Sequence, residues 1–341
     1  MYTLNIKGRS DVMVDRGLAL LESKLPTQRR IIVITDQRLD RLYGKSYLPY
    51  ERIIIGEGEG IKTLVTVEQI MAQLIEMGAD RKIFLLGFGG GIVTDITGFV
   101  GSTYLRGVDF GFISTTLLSQ VDAGVGGKNG VNLGGYKNMV GTFNQPLFVL
   151  SDIELLSTLS DRDFRAGIAE IIKGAIICDP ALFELLEGST FEQLRSDKEL
   201  IMRAIIASIN IKAKIVDLDE RESGERRKLN LGHTFAHAIE KLSTAMNHGE
   251  AVAVGTVIAT QIAQQLGLID ELSAQRVKSL HDSIGFDINP PLPVKELLKA
   301  ITKDKKVEEG SLFLILPTAI GNCEIRKMTF EQIASAVETF E

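Results

Sequence analysis

Residues 82–99, KIFLLGFGGGIVTDITGF, contain a short apolar strand, a turn with three consecutive glycines and a helical segment. In a unit of this kind, the backbone amides at the start of the helix can bind a phosphate group. The spacing departs from the G-x-G-x-x-G motif of dinucleotide sites, because Ile92 occupies the third glycine position. A second explanation is that the glycines only permit close packing of a helix on a sheet. The segment predicts an α/β fold, with nucleotide binding as one explanation of its glycines.

Apolar runs on both sides of this segment predict the other strands of a sheet. The runs are IIVIT (31–35), RIII (52–55), KIFLL (82–86), FGFIS (110–114) and LFVLS (147–151). Helical patterns lie between them, which is the order of elements in a parallel α/β domain. We therefore predict an α/β N-terminal domain with a parallel sheet over residues 1–150.

From Asp152 onwards, long amphipathic stretches predict a mainly α-helical C-terminal domain over residues 151–341. Late strands are expected only in SLFLILP (311–317) and CEIRKM (323–328). The boundary is placed at Leu150–Ser151, where a strand pattern gives way to helical patterns.

The composition predicts a cytoplasmic protein that binds neither nucleic acid nor membranes. The 341 residues carry a formal net charge of −6 and no tryptophan, so there is neither a basic surface nor a stacking platform for nucleic acid. The two cysteines are too few for a disulfide framework, and the amino terminus lacks the apolar core of a signal peptide. The most apolar run, residues 251–269, contains three glutamines, which favours a helix buried in protein.

A second glycine-rich stretch, residues 114–146, contains Lys128 and Lys137. Their ammonium groups are candidates to bind phosphate or carboxylate, although lysines are more often solvated at a surface. Asp36, directly after the first predicted strand of the sheet, is a candidate acceptor for a ribose hydroxyl group.

Three of the four histidines lie within residues 229–252, LNLGHTFAHAIEKLSTAMNHGEAV. Two histidines and one carboxylate are a recurrent ligand set for catalytic zinc, and Glu170 in AEIIKG is the candidate carboxylate. His233 and His237 lie four residues apart, on one face of a helix, so both could be ligands. The spacing does not decide which two of His233, His237 and His248 bind the metal.

Together, these and further motifs resemble the 3-dehydroquinate synthase family of the shikimate pathway, in order from about Asp36 to Gly321. The motifs are GGGIVTDITGF, YLRG, TTLLSQVD, GGK, KNMVG, AGIAEIIKGAII, LNLGHTFAHAIE, HGEAVAVG and DKKVEEG. The family is one of the sugar-phosphate cyclases and is more distantly similar in fold to glycerol dehydrogenases. The resemblance implies an N-terminal NAD-binding α/β domain and a helical C-terminal domain that binds metal and substrate.

Carried over by position, the resemblance implies zinc, or alternatively cobalt, on Glu170, His233 and His248, with His237 as an acid/base group. It implies NAD contacts at Asp36, Glu59, Lys62, Gly89, Gly90, Gly91, Asp95, Thr115, Thr116, Asp122, Lys128, Lys137 and Thr158. It implies contacts to an anionic sugar phosphate at Lys128, Lys137, Asn138, Lys173, Lys212, Arg226, Asn230 and one or both of Lys305 and Lys306. A homodimer is implied as well, with Arg106 reaching the site of the neighbouring subunit.

The activity implied is that of a phosphate-eliminating carbon–oxygen lyase that uses NAD catalytically and acts on 3-deoxy-D-arabino-heptulosonate 7-phosphate. The segment VNLGGYKN instead resembles the sedoheptulose 7-phosphate cyclases, although those relatives usually lack the equivalents of Asn230 and His237. A polyol dehydrogenase of similar fold is a further alternative, which the number of lysines disfavours. A binding or scaffold protein without activity is disfavoured by the presence of all three candidate ligands.

Overall fold

The computed structural model describes residues 2–17, 21–44, 48–302 and 311–337, and the chain forms two compact units, Met1–Leu159 and Ser160–Glu341. The change of unit therefore falls at Leu159–Ser160 and not at the predicted Leu150–Ser151. Asp152 explains the difference, because its side chain accepts hydrogen bonds from the amides of Gly17 (2.8 Å) and Glu154 (2.9 Å). These bonds hold the 3₁₀ helix Ile153–Thr158 to the first unit.

The first unit is built on a seven-stranded sheet with the strand order β1-β2-β9-β6-β5-β3-β4. The six neighbouring strands β2, β9, β6, β5, β3 and β4 are parallel to one another, whereas the edge strand β1 pairs with β2 in antiparallel fashion. The strands are β1 (Tyr2–Ile6), β2 (Ser10–Asp15), β3 (Ile31–Asp36), β4 (Glu51–Ile55), β5 (Phe84–Gly89), β6 (Asp109–Ser114) and β9 (Phe148–Asp152). All five strands predicted from apolar runs are confirmed. Continuous burial along β5, β6 and β9 explains why those runs do not alternate.

The helices of the first unit are α1 (Leu21–Lys24), α2 (Gln37–Leu42), α3 (Leu64–Glu76) and α4 (Gly91–Thr103). In the middle of α4, a Cβ atom on Gly98 would lie 1.8 Å from Oδ1 of the Asn129 side chain. A glycine in a helix interior is normally unfavourable, and here it permits α4 to pack closely on the following hairpin.

That hairpin consists of β7 (Lys128–Leu133) and β8 (Tyr136–Phe143) and was missed by the sequence analysis, which found only a glycine-rich stretch. Gly134 and Gly135 form its two-residue turn with φ values of 58° and 82°. Two consecutive left-handed residues are what the favoured two-residue hairpin turn requires. The Gly-Gly pair was therefore the signal that could have predicted it.

The second unit is mainly helical, as predicted. Its helices are α5 (Asp161–Cys178), α6 (Pro180–Glu187), α7 (Phe191–Ser196), α8 (Lys198–Leu218), α9 (His233–Leu242), α10 (His248–Gln265), α11 (Glu271–Ile284), α12 (Val294–Thr302) and α13 (Phe330–Val337). The two late strands are confirmed as the hairpin β10 (Ser311–Ala319) and β11 (Asn322–Thr329).

Helices α5 and α10 form the centre of the second unit, since 13 of the 18 residues in each are buried. The apolar run that begins at Ala251 thus belongs to a buried helix, as expected. Within the described residues, none of the helices has the length and apolar character needed to cross a bilayer.

Candidate active site

Three side chains able to bind a metal ion meet in the second unit. Glu170 comes from the middle of α5, and His233 and His248 are the first residues of α9 and α10. One donor atom from each lies within 4.8 Å of the other two. Oε1 of Glu170 is 3.3 Å from Nε2 of His248 and 3.7 Å from Nε2 of His233. Of the three candidate histidines, the structure thus brings His233 and His248 to Glu170.

The position of His233 depends on a close helix crossing. The preceding residue, Gly232, is left-handed (φ 77°) and lies against α10 at Gly255. A Cβ atom on Gly255 would be 2.1 Å from the carbonyl oxygen of Gly232, so only glycine fits there. Nδ1 of His233 is 3.2 Å from the carbonyl oxygen of Leu231. Donation from Nδ1 to that oxygen leaves the lone pair of Nε2 directed at Glu170.

The position of His248 depends on the start of α10. Asn247 and Glu250 form a capping box, in which each side chain accepts a hydrogen bond from the backbone amide of the other. Arg162, in the first turn of α5, donates from Nε and Nη2 to the two carboxylate oxygens of Glu250, both at 2.7 Å. This bidentate pair ties the helix that carries His248 to the helix that carries Glu170.

The electrostatics of the cluster favour a cation. Glu170 and Glu240 are both buried, and Oε1 of Glu240 is 3.1 Å from Nδ1 of His248. Burial lowers the pKa of His248, but hydrogen bonds to these two carboxylates outweigh burial and raise it to about 10. Burial, with the positive charge of Lys173, lowers the pKa of His233 to about 3. Positive charge is thus stabilised beside His248, where two carboxylates converge.

The donor set also fits a divalent metal. Two imidazole nitrogens and one carboxylate oxygen form the usual three-residue set of catalytic zinc sites. The side chain of Glu170 is 2% exposed, that of His233 12% and that of His248 31%, so the cluster is open on its histidine side. Glu240 and the Leu231 carbonyl group supply the outer hydrogen bonds that ligand histidines normally make.

A cavity of about 440 Å³ lies beside this cluster, within the second unit. His237 lines it one turn after His233 on α9, with 5.6 Å between the two ring centroids. Asn230 also lines it and donates a hydrogen bond from Nδ2 to Oε1 of Glu222. Glu222 was missed by the sequence analysis, because its neighbours in the sequence form no motif that indicates a functional residue. The structural sign is its left-handed backbone, with φ of 60°.

The predicted cations of the second unit are buried. Lys173 is 3% exposed and pairs with Glu170, Lys212 is 8% exposed, and Arg226 is 1% exposed. Nη1 of Arg226 donates to the carbonyl oxygen of Glu220. Lysine and arginine side chains are rarely buried in proteins, so these three concentrate positive charge inside the second unit. Lys305 and Lys306, with the motif DKKVEEG, lie outside the described residues.

In the first unit, the glycine turn lies at the carboxyl ends of β5 and β6. The amide of Thr115 donates to the carbonyl oxygen of Gly89 (3.0 Å), and a Cβ atom on Gly90 would lie 2.9 Å from Thr116. The glycines therefore do serve close packing. The same packing gathers six of the thirteen predicted dinucleotide contacts at this edge of the parallel sheet, where such ligands bind. These are Gly89, Gly90, Gly91, Thr115, Thr116 and Asp122.

A second polar cluster in this unit joins four more of the predicted residues. Lys62 is buried, pairs with Asp95 and donates to Oδ1 of Asn138 at 2.6 Å. Asn132 donates to Glu59 (2.7 Å) and accepts from the amide of Asn138 (2.9 Å). Asn132 was missed by the sequence analysis because its role depends on the turn geometry of the β7–β8 hairpin.

Two further predicted contacts have structural partners. Asp36 caps α2 by accepting from the amide of Leu39 (2.8 Å), and burial raises the pKa of its carboxyl group. The hydroxyl group of Thr158 lies 2.9 Å from that of Tyr43.

Lys128, Lys137 and Arg106 are exposed. Lys128 begins β7 and Lys137 lies near the start of β8, so both belong to the hairpin. Arg106 is left-handed (φ 69°) and follows a second left-handed residue, Leu105 (φ 51°). Two such residues in succession are unusual outside glycine.

Comparison with known proteins identifies the relatives of the chain. Residues 52–166 match the family model of the 3-dehydroquinate synthase N-terminal region, and residues 167–307 match that of the C-terminal region. The chain is 38% identical over 332 residues to the 3-dehydroquinate synthase of Thermodesulfovibrio yellowstonii. The aligned region covers 92% of each protein.

Two solved structures are similar over nearly the whole chain, each with a TM-score of 0.88. One is the 2-epi-5-epi-valiolone synthase of Streptomyces hygroscopicus with NAD⁺ and Zn²⁺ bound, with 28% identity over 99% of this chain and 98% of that chain. The other is a 2-deoxy-scyllo-inosose synthase complexed with carbaglucose-6-phosphate, NAD⁺ and Co²⁺, with 26% identity over 98% of this chain and 99% of that chain.

The helix crossing at Gly255 can be tested by stability. Gly255→Ala places a methyl group against backbone on both sides, so we expect a loss of about 1–3 kcal/mol or more in urea unfolding. Gly174→Ala in α5 is the matched control, since its Cβ atom would meet Ile211 at an ordinary 3.6 Å. The control should be neutral or stabilising by about 0.5–1 kcal/mol. Equal stability of the two variants would contradict the close crossing.

Proposed function

The chain belongs to the 3-dehydroquinate synthase family, and on this premise we propose that it converts 3-deoxy-D-arabino-heptulosonate 7-phosphate into 3-dehydroquinate and inorganic phosphate. The observation that carries the proposal is the meeting of Glu170, His233 and His248 beside a cavity that His237 and Asn230 line. A metal site of this kind, next to an acid/base group and buried cations, suits a phosphorylated sugar acid.

NAD and zinc, with cobalt as the alternative metal, are the proposed cofactors, since the two solved relatives hold NAD⁺ with Zn²⁺ or Co²⁺. Glu170, His233 and His248 would hold the metal, and the Gly89–Gly91 turn would hold the pyrophosphate of NAD. The metal supplies a Lewis acid that withdraws electron density from a substrate hydroxyl group. NAD supplies a hydride acceptor that returns the hydride later in the same turnover, so that no net oxidation results.

The cationic side chains are proposed to bind the two anionic groups of the substrate. Lys173, Lys212 and Arg226 are buried, so their charges act in a region of low dielectric, where attraction to phosphate or carboxylate is stronger than in water. Lys128, Lys137 and Asn138 of the hairpin are proposed to contact the phosphate group as well. An acidic protein can therefore bind an acidic substrate through these cationic side chains.

His237 is proposed to hold and move a proton. Its ring lies one helical turn from His233 and faces the cavity, so a substrate hydroxyl group in the cavity could donate to it. Asn230 lines the same cavity, with its amide oriented by Glu222. We propose that this amide orients the substrate by hydrogen bonding.

A metal-dependent polyol dehydrogenase of similar fold is the contrasting reaction, because it would release NADH and would need no phosphate site. The purified protein, loaded with zinc and a catalytic amount of NAD, should release one phosphate per substrate consumed. NADH absorbance should stay flat throughout steady turnover, because the hydride returns to the same molecule. One NADH per substrate consumed, without phosphate, would contradict the synthase proposal. Faster turnover of sedoheptulose 7-phosphate than of the heptulosonate phosphate would instead favour a sedoheptulose 7-phosphate cyclase.

We also propose a homodimer in which Arg106 completes the site of the partner. The support is the exposed position of Arg106 in a segment with two successive left-handed residues. Mixing inactive Arg106→Ala protein with inactive Lys173→Met protein should restore about a quarter of wild-type activity, because half of the dimers are mixed and each has one intact site. Absence of recovery after proven subunit exchange would place Arg106 in its own subunit's site or outside any site.

A further inference from the structure

The segment between α8 and the 3₁₀ helix Glu225–Asn230 is organised around one carboxylate. Oδ1 of Asp219 accepts hydrogen bonds from the amide (3.0 Å) and hydroxyl group (3.1 Å) of Ser223. Oδ2 accepts from the amides of Gly224 (2.7 Å) and Arg226 (3.1 Å). One side chain thus satisfies three backbone amides over residues 219–226, which we call the Asp219 loop.

The Asp219 loop carries two groups of the proposed site. Glu222 lines the cavity and accepts from Asn230, and its left-handed backbone costs roughly 1–2 kcal/mol for a residue with a side chain. Arg226 is fixed twice, by its amide on Asp219 and by its guanidinium group on the Glu220 carbonyl oxygen. The conformation that presents both groups must therefore be held by other contacts, and the three amide bonds to Asp219 supply them.

The carboxyl group of Asp219 is ionised near neutral pH, so both of its oxygens accept hydrogen bonds. Burial by itself raises the pKa of its carboxyl group, but the hydrogen bonds from Gly224, Ser223 and Arg226 outweigh burial and lower it to about 2. Carboxylate-to-amide hydrogen bonds are also stronger than those between neutral groups. Asp219 is not among the residues that line the cavity, so any effect it has on substrate must pass through the loop.

We propose that Asp219 is a positioning residue for the substrate site, which fixes Glu222 and Arg226 through the backbone amides of its loop without touching the substrate. The inference rests on the proposed function and deepens it. It separates the geometry of the anion site from that of the metal site, since none of the contacts of Asp219 involves Glu170, His233 or His248.

Asp219→Asn tests the inference, because asparagine has the same shape but keeps only one acceptor oxygen. We expect kcat/KM to fall about 10- to 100-fold, as for a small displacement of a binding group, with zinc content unchanged. Asp270→Asn is the matched control, since Asp270 likewise accepts from the amide (2.9 Å) and hydroxyl group (2.7 Å) of a serine, Ser273, at the start of α11. The control should keep wild-type kinetics. Loss of zinc in Asp219→Asn, or kinetics equal to the control, would overturn the proposal.

A double-mutant cycle with Glu222→Gln distinguishes positioning from general stability. If Asp219 acts through Glu222, the double variant should be little slower than the slower single variant, whereas independent effects would multiply. Multiplied effects, together with a lower unfolding midpoint than the control, would make Asp219 a structural residue only.

Hydrogen exchange at the amides of Ser223, Gly224 and Arg226 gives a readout that needs no turnover. Exchange should accelerate in Asp219→Asn and remain unchanged in Asp270→Asn. Unchanged exchange in Asp219→Asn would overturn the inference even in an active enzyme. Failure of the wild-type protein to turn over the heptulosonate phosphate would instead overturn the proposed function, while the exchange experiment would still decide the role of Asp219 in its loop.

Discussion

The candidate site depends on the close approach of α9 and α10 at Gly232 and Gly255. Two helices whose backbones touch can each begin with a histidine next to the same point, and that point is occupied by the Glu170 carboxylate of α5. Each histidine is then oriented through its Nδ1 atom, one by a backbone carbonyl group and the other by Glu240. Any side chain larger than hydrogen at the crossing would separate the groups that have to converge.

The distribution of charge follows from this arrangement. A buried carboxylate cluster stabilises positive charge, which a divalent ion can supply. Lys173 pairs with Oε2 of Glu170, whereas His233 and His248 lie within 3.7 Å of Oε1. Two of the proposed substrate contacts, Arg226 and Asn230, lie on the 3₁₀ helix Glu225–Asn230 of the same unit.

The apolar patterns of the sequence predicted the buried strands and the long helices. The strands β3, β5, β6 and β9 are buried apolar runs, β4 is an apolar run with two buried residues, and α5 and α10 are long apolar helices. These patterns were visible in the sequence. The hairpin β7–β8 was hidden by its glycines, which break the alternation of a strand. The two compact units meet later in the chain than the expected boundary, because the amide of Gly17 donates a hydrogen bond to Asp152, 135 positions away.

The site could be predicted only in part, because it too depends on contacts between residues that are far apart in the sequence. Spacing made His233 and His237 as plausible a ligand pair as any, since four residues are one helical turn. The pairing of His233 with His248 is a consequence of a tertiary crossing, and only the family resemblance indicated it in advance. Glu222 and Asp219 act through a loop conformation that no local motif specifies.

The measurement that tests the account most directly is anomalous X-ray scattering from crystals of the zinc-loaded protein. We predict one strong peak enclosed by Glu170, His233 and His248, with His237 outside the coordination shell. A peak shared by His233 and His237, or one remote from Glu170, would contradict the account.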